Sequence, residues 1–112
     1  MREKLEQLLA AGRDSALLRF GLGNACLQAG DAEAAVLHLT QATQQQASYS
    51  AAWKLLGRAL HQLERLDAAQ AAWTRGLEVA QQQGDAQSAK EMAVFLRRLQ
   101  RQQAHAGDGS DR

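Results

Sequence analysis

The chain has 112 residues, enough for one compact domain whose folding removes roughly two-thirds of the unfolded surface from water. Hydrophobic residues make up 46% and aromatics only 4%; Ala (23), Leu (17) and Gln (15) dominate, and Pro is absent, so the composition reads as an all-α fold. A net charge of +1, from 13 basic and 12 acidic residues, argues against a general nucleic-acid field or an acidic-tail protein.

The one cysteine, Cys26, cannot form an intrachain disulfide and fits a reducing compartment. The first residues, M-R-E-K-L-E-Q-L-L-A-A-G, carry early acids and no apolar run of a secretory leader. No stretch approaches the ~18 apolar residues that cross a bilayer. These features predict a cytoplasmic protein without a membrane segment.

Residues 2–11 carry Leu5, Leu8 and Leu9 on one helical face, with Glu3 and Glu6 early and Gly12 as the stop. So short a helix does not hold alone in water and must dock. Asp14 or Ser15 can cap the next helix, which runs to about Ala29 with Leu18, Leu22, Ala25 and Ala29 along one stripe. Gly21 and Gly23 inside it cost about 1 kcal/mol each relative to Ala, which predicts a close approach by another backbone. Gly30-Asp31 reads as stop and start, and a third helix spans about 32–45 with Ala35, Leu39 and Ala42.

A fourth helix is expected from Ser48 or Ser50, read as caps, to about Glu64, with the stripe Trp53, Leu56, Leu60 and Leu63. Asp67 with Gln70 resembles a capping box for a fifth helix, which reaches about Gln82 and bears Ala69, Trp73, Gly76 and Leu77. Gly84-Asp85 repeats the stop-start signal. The sixth helix, about 86–104, shows Met92, Phe95, Leu96 and Leu99 at helical spacing. Residues 106–112 have little to bury and are expected to be disordered.

An offset of 34 residues aligns 16–49 with 50–83 and gives seven identities: Leu22/Leu56, Gly23/Gly57, Ala25/Ala59, Gln28/Gln62, Ala34/Ala68, Ala35/Ala69 and Thr40/Thr74. Leu39 aligns with Trp73 and Ala42 with Gly76. One step back, Leu5 and Leu8 fall in the same two places, so the first helix looks like the second half of a preceding unit. Trp53, Leu56, Gly57, Leu60, Ala69, Trp73 and Gly76 stand in the order of the tetratricopeptide repeat, and the chain resembles that family over roughly residues 1–83. It departs from the pattern where Arg19 takes the Trp place, Cys26 the aromatic place, and Ala47 and Gln81 the closing Pro. In the sixth helix, Lys90 and Glu91 hold the Leu-Gly places and the apolar stripe is rotated.

The resemblance implies a right-handed antiparallel α-solenoid of about six helices within a single domain, 1–105. Its parts are a half-unit helix (2–11), two repeats (16–49 and 50–83) and a capping helix (85–104). It also implies a concave groove that binds a protein or peptide segment. The groove would be lined by Leu17, Phe20, Asn24, Leu27 and Gln28 from the first repeat, and by Ala51, Lys54, Arg58, His61 and Gln62 from the second. Asn24 and Lys54 match places of the family's carboxylate clamp; Phe20 and Arg58 depart from it.

The alternative is a basic patch of Lys90, Arg97, Arg98 and Arg101 on the last helix, meeting nucleic acid or an acidic protein. Nearby acids and the lack of interleaved aromatics favour a solvated face instead. His38, His61 and His105 share no metal-ligand spacing with Cys26, and no nucleophile, base and orienter come together in the sequence. The expectation is therefore a non-enzymatic interaction module with no cofactor and no metal. Trp53 and Trp73 are expected in the core, and short solenoids leave apolar ends that favour weak self-association.

Overall fold

Local punctuation sets the elements. The Ser15 hydroxyl accepts the backbone N–H of Leu18 at 3.1 Å, the Asp31 carboxylate that of Ala34 at 3.1 Å, and the Asp85 carboxylate that of Ser88 at 3.2 Å. Each satisfies a helix-start donor that has no partner inside its own helix. The computed structural model describes residues 1–110, with side chains through His105. It shows six helices: α1 (Arg2–Ala10), α2 (Ala16–Gln28), α3 (Ala32–Gln45), α4 (Ser50–Gln62), α5 (Leu66–Gln83) and α6 (Ala86–Ser110). No strand is present among the described residues.

Several local expectations are corrected. Asp67 does not cap α5; the helix starts after Arg65, and Asp67 lies in the first turn, where the dipole still favours it. Neither Ser48 nor Ser50 caps α4, whose N-cap is Tyr49. Ser50 is buried and donates its hydroxyl to Asp85 at 3.0 Å, which ties the start of α4 to the start of α6. Ala29 is exposed because α2 ends one residue before it. The last helix continues past residue 104 to Ser110. Residues 111–112 lie outside the described residues.

The helices pack in sequence as an α-solenoid, α1 on α2, α2 on α3, and so on to α6. In addition α2 touches α4, and α4 touches α6, whereas the backbones of α1, α3 and α5 stay apart. The stack therefore curves toward the α2/α4/α6 side. Its radius of gyration is 15.0 Å, against about 13 Å for a rounded domain of this length, and it measures 54 × 31 × 18 Å.

Leu22, Cys26, Leu39, Met92 and Leu99 are fully buried, and Trp73 nearly so. Burying such side chains contributes about 1.5–3 kcal/mol each. Gly23, Gly57 and Gly76 are explained by side chains and not by backbones, whereas Gly21 makes only an ordinary 3.5 Å contact with Leu5 and nothing crowds it. A Cβ on Gly23 would collide with Leu39, one on Gly57 with the Trp73 indole, and one on Gly76 with Met92 and Trp53. The Trp73 indole N–H donates to the Lys54 carbonyl at 3.1 Å, and that of Trp53 to the Ala47 carbonyl at 2.9 Å. Where the first repeat has Arg19 in place of Trp53, polar bonds do the joining. Arg19 makes two bonds to Asp14, at 2.8 and 3.0 Å, and reaches His38 Nδ1 at 3.2 Å. Gln45 also donates to Asp14, at 3.0 Å.

Candidate partner-binding face

Helices α2, α4 and α6 turn one row of side chains each toward the inner side of the stack. Helical spacing puts Lys54, Arg58 and His61 on one edge of α4. On the facing edge of α6 stand Glu91, Phe95, Arg98 and Gln102. The two edges meet as successive rungs. Lys54 Nζ lies 2.9 Å from Glu91 Oε2, and that ion pair holds the Glu91 carboxyl below its ordinary range. About two turns further along α4 and three along α6, His61 Nε2 lies 3.0 Å from Gln102 Oε1.

The rung between them is different. Arg58 and Arg98 line the same cleft of about 240 Å³, together with His61, Gln62, Trp73, Phe95 and Leu99. Both arginines are exposed, and neither has an acidic partner among the described residues. In the same cleft the Trp73 and Phe95 rings pack 5.1 Å apart, and the His61 ring lies 5.8 Å from that of Trp73. Two guanidiniums sharing a cleft with two aromatic rings offer a fork of donors and an apolar surface together.

Arg58 and Gln62 also border a second cleft of about 280 Å³ between α2 and α4, completed by Asn24, Leu27, Gln28 and Leu55. Of the expected groove residues, then, Asn24, Leu27, Gln28, Arg58, His61 and Gln62 are brought together along one face. Phe20 is half-buried and stacks on Tyr49 with 5.0 Å between ring centres. Lys54 is beside the face but engaged by Glu91. Leu17 is 72% exposed and borders a cleft at the α1 end, so it does not line the groove.

The basic residues of α6 divide. Arg98 faces α4, whereas Lys90 borders a cleft between α5 and α6 with Ala80, Asp85 and Ala89. Lys90, Arg97 and Arg101 are exposed and share one side of the helix by their spacing. The expected single patch of four is therefore a stripe of three plus one groove residue. Trp73, Phe95 and Leu55 were not anticipated as lining residues. Core spacing marked Trp73 correctly as buried, but one edge of its ring remains open to the cleft.

The family's sequence profile, described as tetratricopeptide repeat, matches residues 27–93. The chain belongs to the tetratricopeptide repeat family. A tetratricopeptide-repeat-containing protein of Pseudomonas aeruginosa is 54% identical over 101 residues, covering 90% of this chain and 96% of its own length. The solution structure of a Bordetella parapertussis protein superposes with a TM-score of 0.81 at 44% identity, covering 93% of this chain and 90% of that one. A tetratricopeptide repeat domain protein of Salinibacter ruber shares the fold at 21% identity, with a TM-score of 0.73 over 78% of this chain and 97% of that one. Tetratricopeptide repeats generally mediate protein–protein interaction. Among the described residues, no helix of this repeat protein is long and apolar enough to cross a membrane.

Proposed function

We propose that the chain is a non-enzymatic interaction module that holds an acidic, partly apolar segment of a partner protein along the α2/α4/α6 face. The supporting observation is the Arg58–Arg98 rung: two unneutralised guanidiniums lining one cleft with the Trp73 and Phe95 rings. A carboxylate of the segment would take the arginine donors, and a neighbouring apolar side chain would cover the rings. Asn24, Gln28 and Gln62 would bond to the segment's backbone along the adjoining cleft. Arginine and aromatic residues supply a disproportionate share of binding energy at such surfaces. A cytoplasmic setting fits the single, buried cysteine.

The test is a tagged pull-down followed by titration of the identified partner. Arg58→Glu with Arg98→Glu should weaken binding by at least roughly 2 kcal/mol, the range of a binding hot spot. Lys54→Glu should weaken it less, because its ammonium already serves Glu91. Undiminished affinity of the double arginine variant refutes the face. Binding to generic DNA that falls steeply with salt, and is lost on changing Lys90, Arg97 and Arg101, would support the nucleic-acid alternative instead.

A further inference from the structure

The end of the stack at α1 carries a second surface, separate from the proposed groove. None of the residues of α1 is buried, although Leu5 and Leu8 occupy the repeat places of Leu39/Trp73 and Ala42/Gly76. In the two complete repeats the large residue at the first of these places sits on a glycine of the unit's own first helix: Leu39 over Gly23, Trp73 over Gly57. Among the described residues no helix stands in that position beside Leu5. Its one such neighbour is Gly21 of the following helix, whose Cβ position lies at 3.5 Å, an ordinary contact.

What remains open is a cleft of about 300 Å³ lined by Leu5, Leu8, Arg13, Ser15, Leu17 and Leu18. Leu8 is 42% and Leu17 72% exposed. Lys4 precedes Leu8 by one turn and shares its side of α1, while Glu3 lies on the opposite side. Arg2 and Glu6 are engaged with each other, and Arg2 also with Asp31. The charges left beside the apolar cleft are those of Lys4 and Arg13, both exposed and outside any ion pair among the described residues.

We infer that this cleft seats an amphipathic helix of a partner protein, which supplies the first helix of the unit whose second helix is α1. The occupant presents a Leu-Gly or Leu-Ala step to Leu5, because a small residue is what lets the corresponding large residue seat in the other two units. It carries acidic residues on the flanks that meet Lys4 and Arg13. A second copy of this chain fits less well: pairing the same face with itself sets Lys4 and Arg13 against their own kind, and stacking it on the outer stripe of α6 sets them against Lys90, Arg97 and Arg101.

The probe is a fluorescently labelled amphipathic peptide of about four helical turns with a Leu-Gly contact stripe, made once with Glu and once with Lys on its flanks. Anisotropy is read on the full chain. The Glu peptide should bind at least roughly tenfold more tightly than the Lys peptide. Leu8→Glu with Leu17→Glu, at exposed positions and with the helical signal checked by circular dichroism, should remove saturable binding. Leu17→Glu alone serves if the pair perturbs folding. Arg13→Glu should reverse or erase the preference for acidic flanks.

The inference is overturned if neither peptide binds, or if both bind alike. It is also overturned if binding survives Leu17→Glu and is lost in Arg58→Glu/Arg98→Glu, which would put the peptide in the groove. A concentration-dependent dimer that Leu17→Glu dissolves would assign the cleft to a second copy and overturn it as well.

Discussion

Adding one methyl group at Gly57 should destabilise this protein, although the same change at most helical glycines stabilises. A solvent-exposed Gly→Ala change in a helix gains about 1 kcal/mol from propensity. At Gly57 the new Cβ would fall within the Trp73 indole, touching Nε1, Cδ1 and Cε2. The indole is rigid and nearly fully buried, so it cannot give way by rotating a terminal methyl. Overpacking of this kind costs about 1–3 kcal/mol or more. Moving the ring also endangers its 3.1 Å bond to the Lys54 carbonyl, worth about 1 kcal/mol. The costs exceed the propensity gain, and the expected net loss is roughly 1–3 kcal/mol. Gly21→Ala is the control: its Cβ would make only a 3.5 Å contact with Leu5, so it should stabilise by up to about 1 kcal/mol. Urea unfolding followed by tryptophan fluorescence and circular dichroism measures both. Gly57→Ala with a midpoint at or above that of the parent protein would refute the seating of Trp73 on Gly57. A smaller loss from Gly57→Ala in a Trp73→Ala background would confirm that the ring is the obstacle.

Two further predictions concern the backbone and pH. Glu64 has φ 58°, the left-handed conformation that Gly30 holds at the equivalent turn of the first repeat with φ 79°. Glu64→Gly should relieve this and stabilise by roughly 0.5–1 kcal/mol, read as a higher urea midpoint; an unchanged or lower midpoint counts against the strain. Burial, and secondly the Arg19 guanidinium, push the His38 imidazole below its ordinary value of 6.5. The folded state therefore binds a proton less readily than the unfolded chain, so the stability tied to His38 is complete above 6.5 and is lost as pH falls below it. Asp14, drawn down to about 2 chiefly by its bonds from Arg19, stays charged throughout that window. Urea midpoints at about pH 8 and pH 5.5 should differ less in His38→Gln than in the parent protein; equal pH dependence in the two would exclude His38 as a contributor.

The repeat, the helix order and the core were readable because each rests on chemistry local to the chain. Gly30, Asp31, Gly84 and Asp85 announce their turns, and the 34-residue offset pairs Gly23 with Gly57 and Leu39 with Trp73. The exact starts of α4 and α5 were less legible, since Ser50 and Asp67 have capping chemistry but are used otherwise. The face was legible in part. Arg58 and its neighbours on α2 and α4 follow from repeat register. Arg98 and Phe95 do not, because α6 leaves the register and its rotation is fixed only by how Met92 and Leu99 bury against the preceding helices. For the same reason Lys54 reads as available in sequence, while Glu91 occupies it in the fold.

The Gly76 position meets Trp53 of α4 and Met92 of α6 at once, so three helices converge on the space left by a single absent methyl group. Loosening any one of them opens the other two, and amide protons of α4, α5 and α6 should exchange with solvent as one cooperative block. Helix α1 has no fully buried residue and is joined chiefly to α2, so its amides should exchange first and independently. The solenoid thus has a firm end and a yielding end, and a helix bound at α1 would reveal itself by slowing exchange where the free protein is quickest to open.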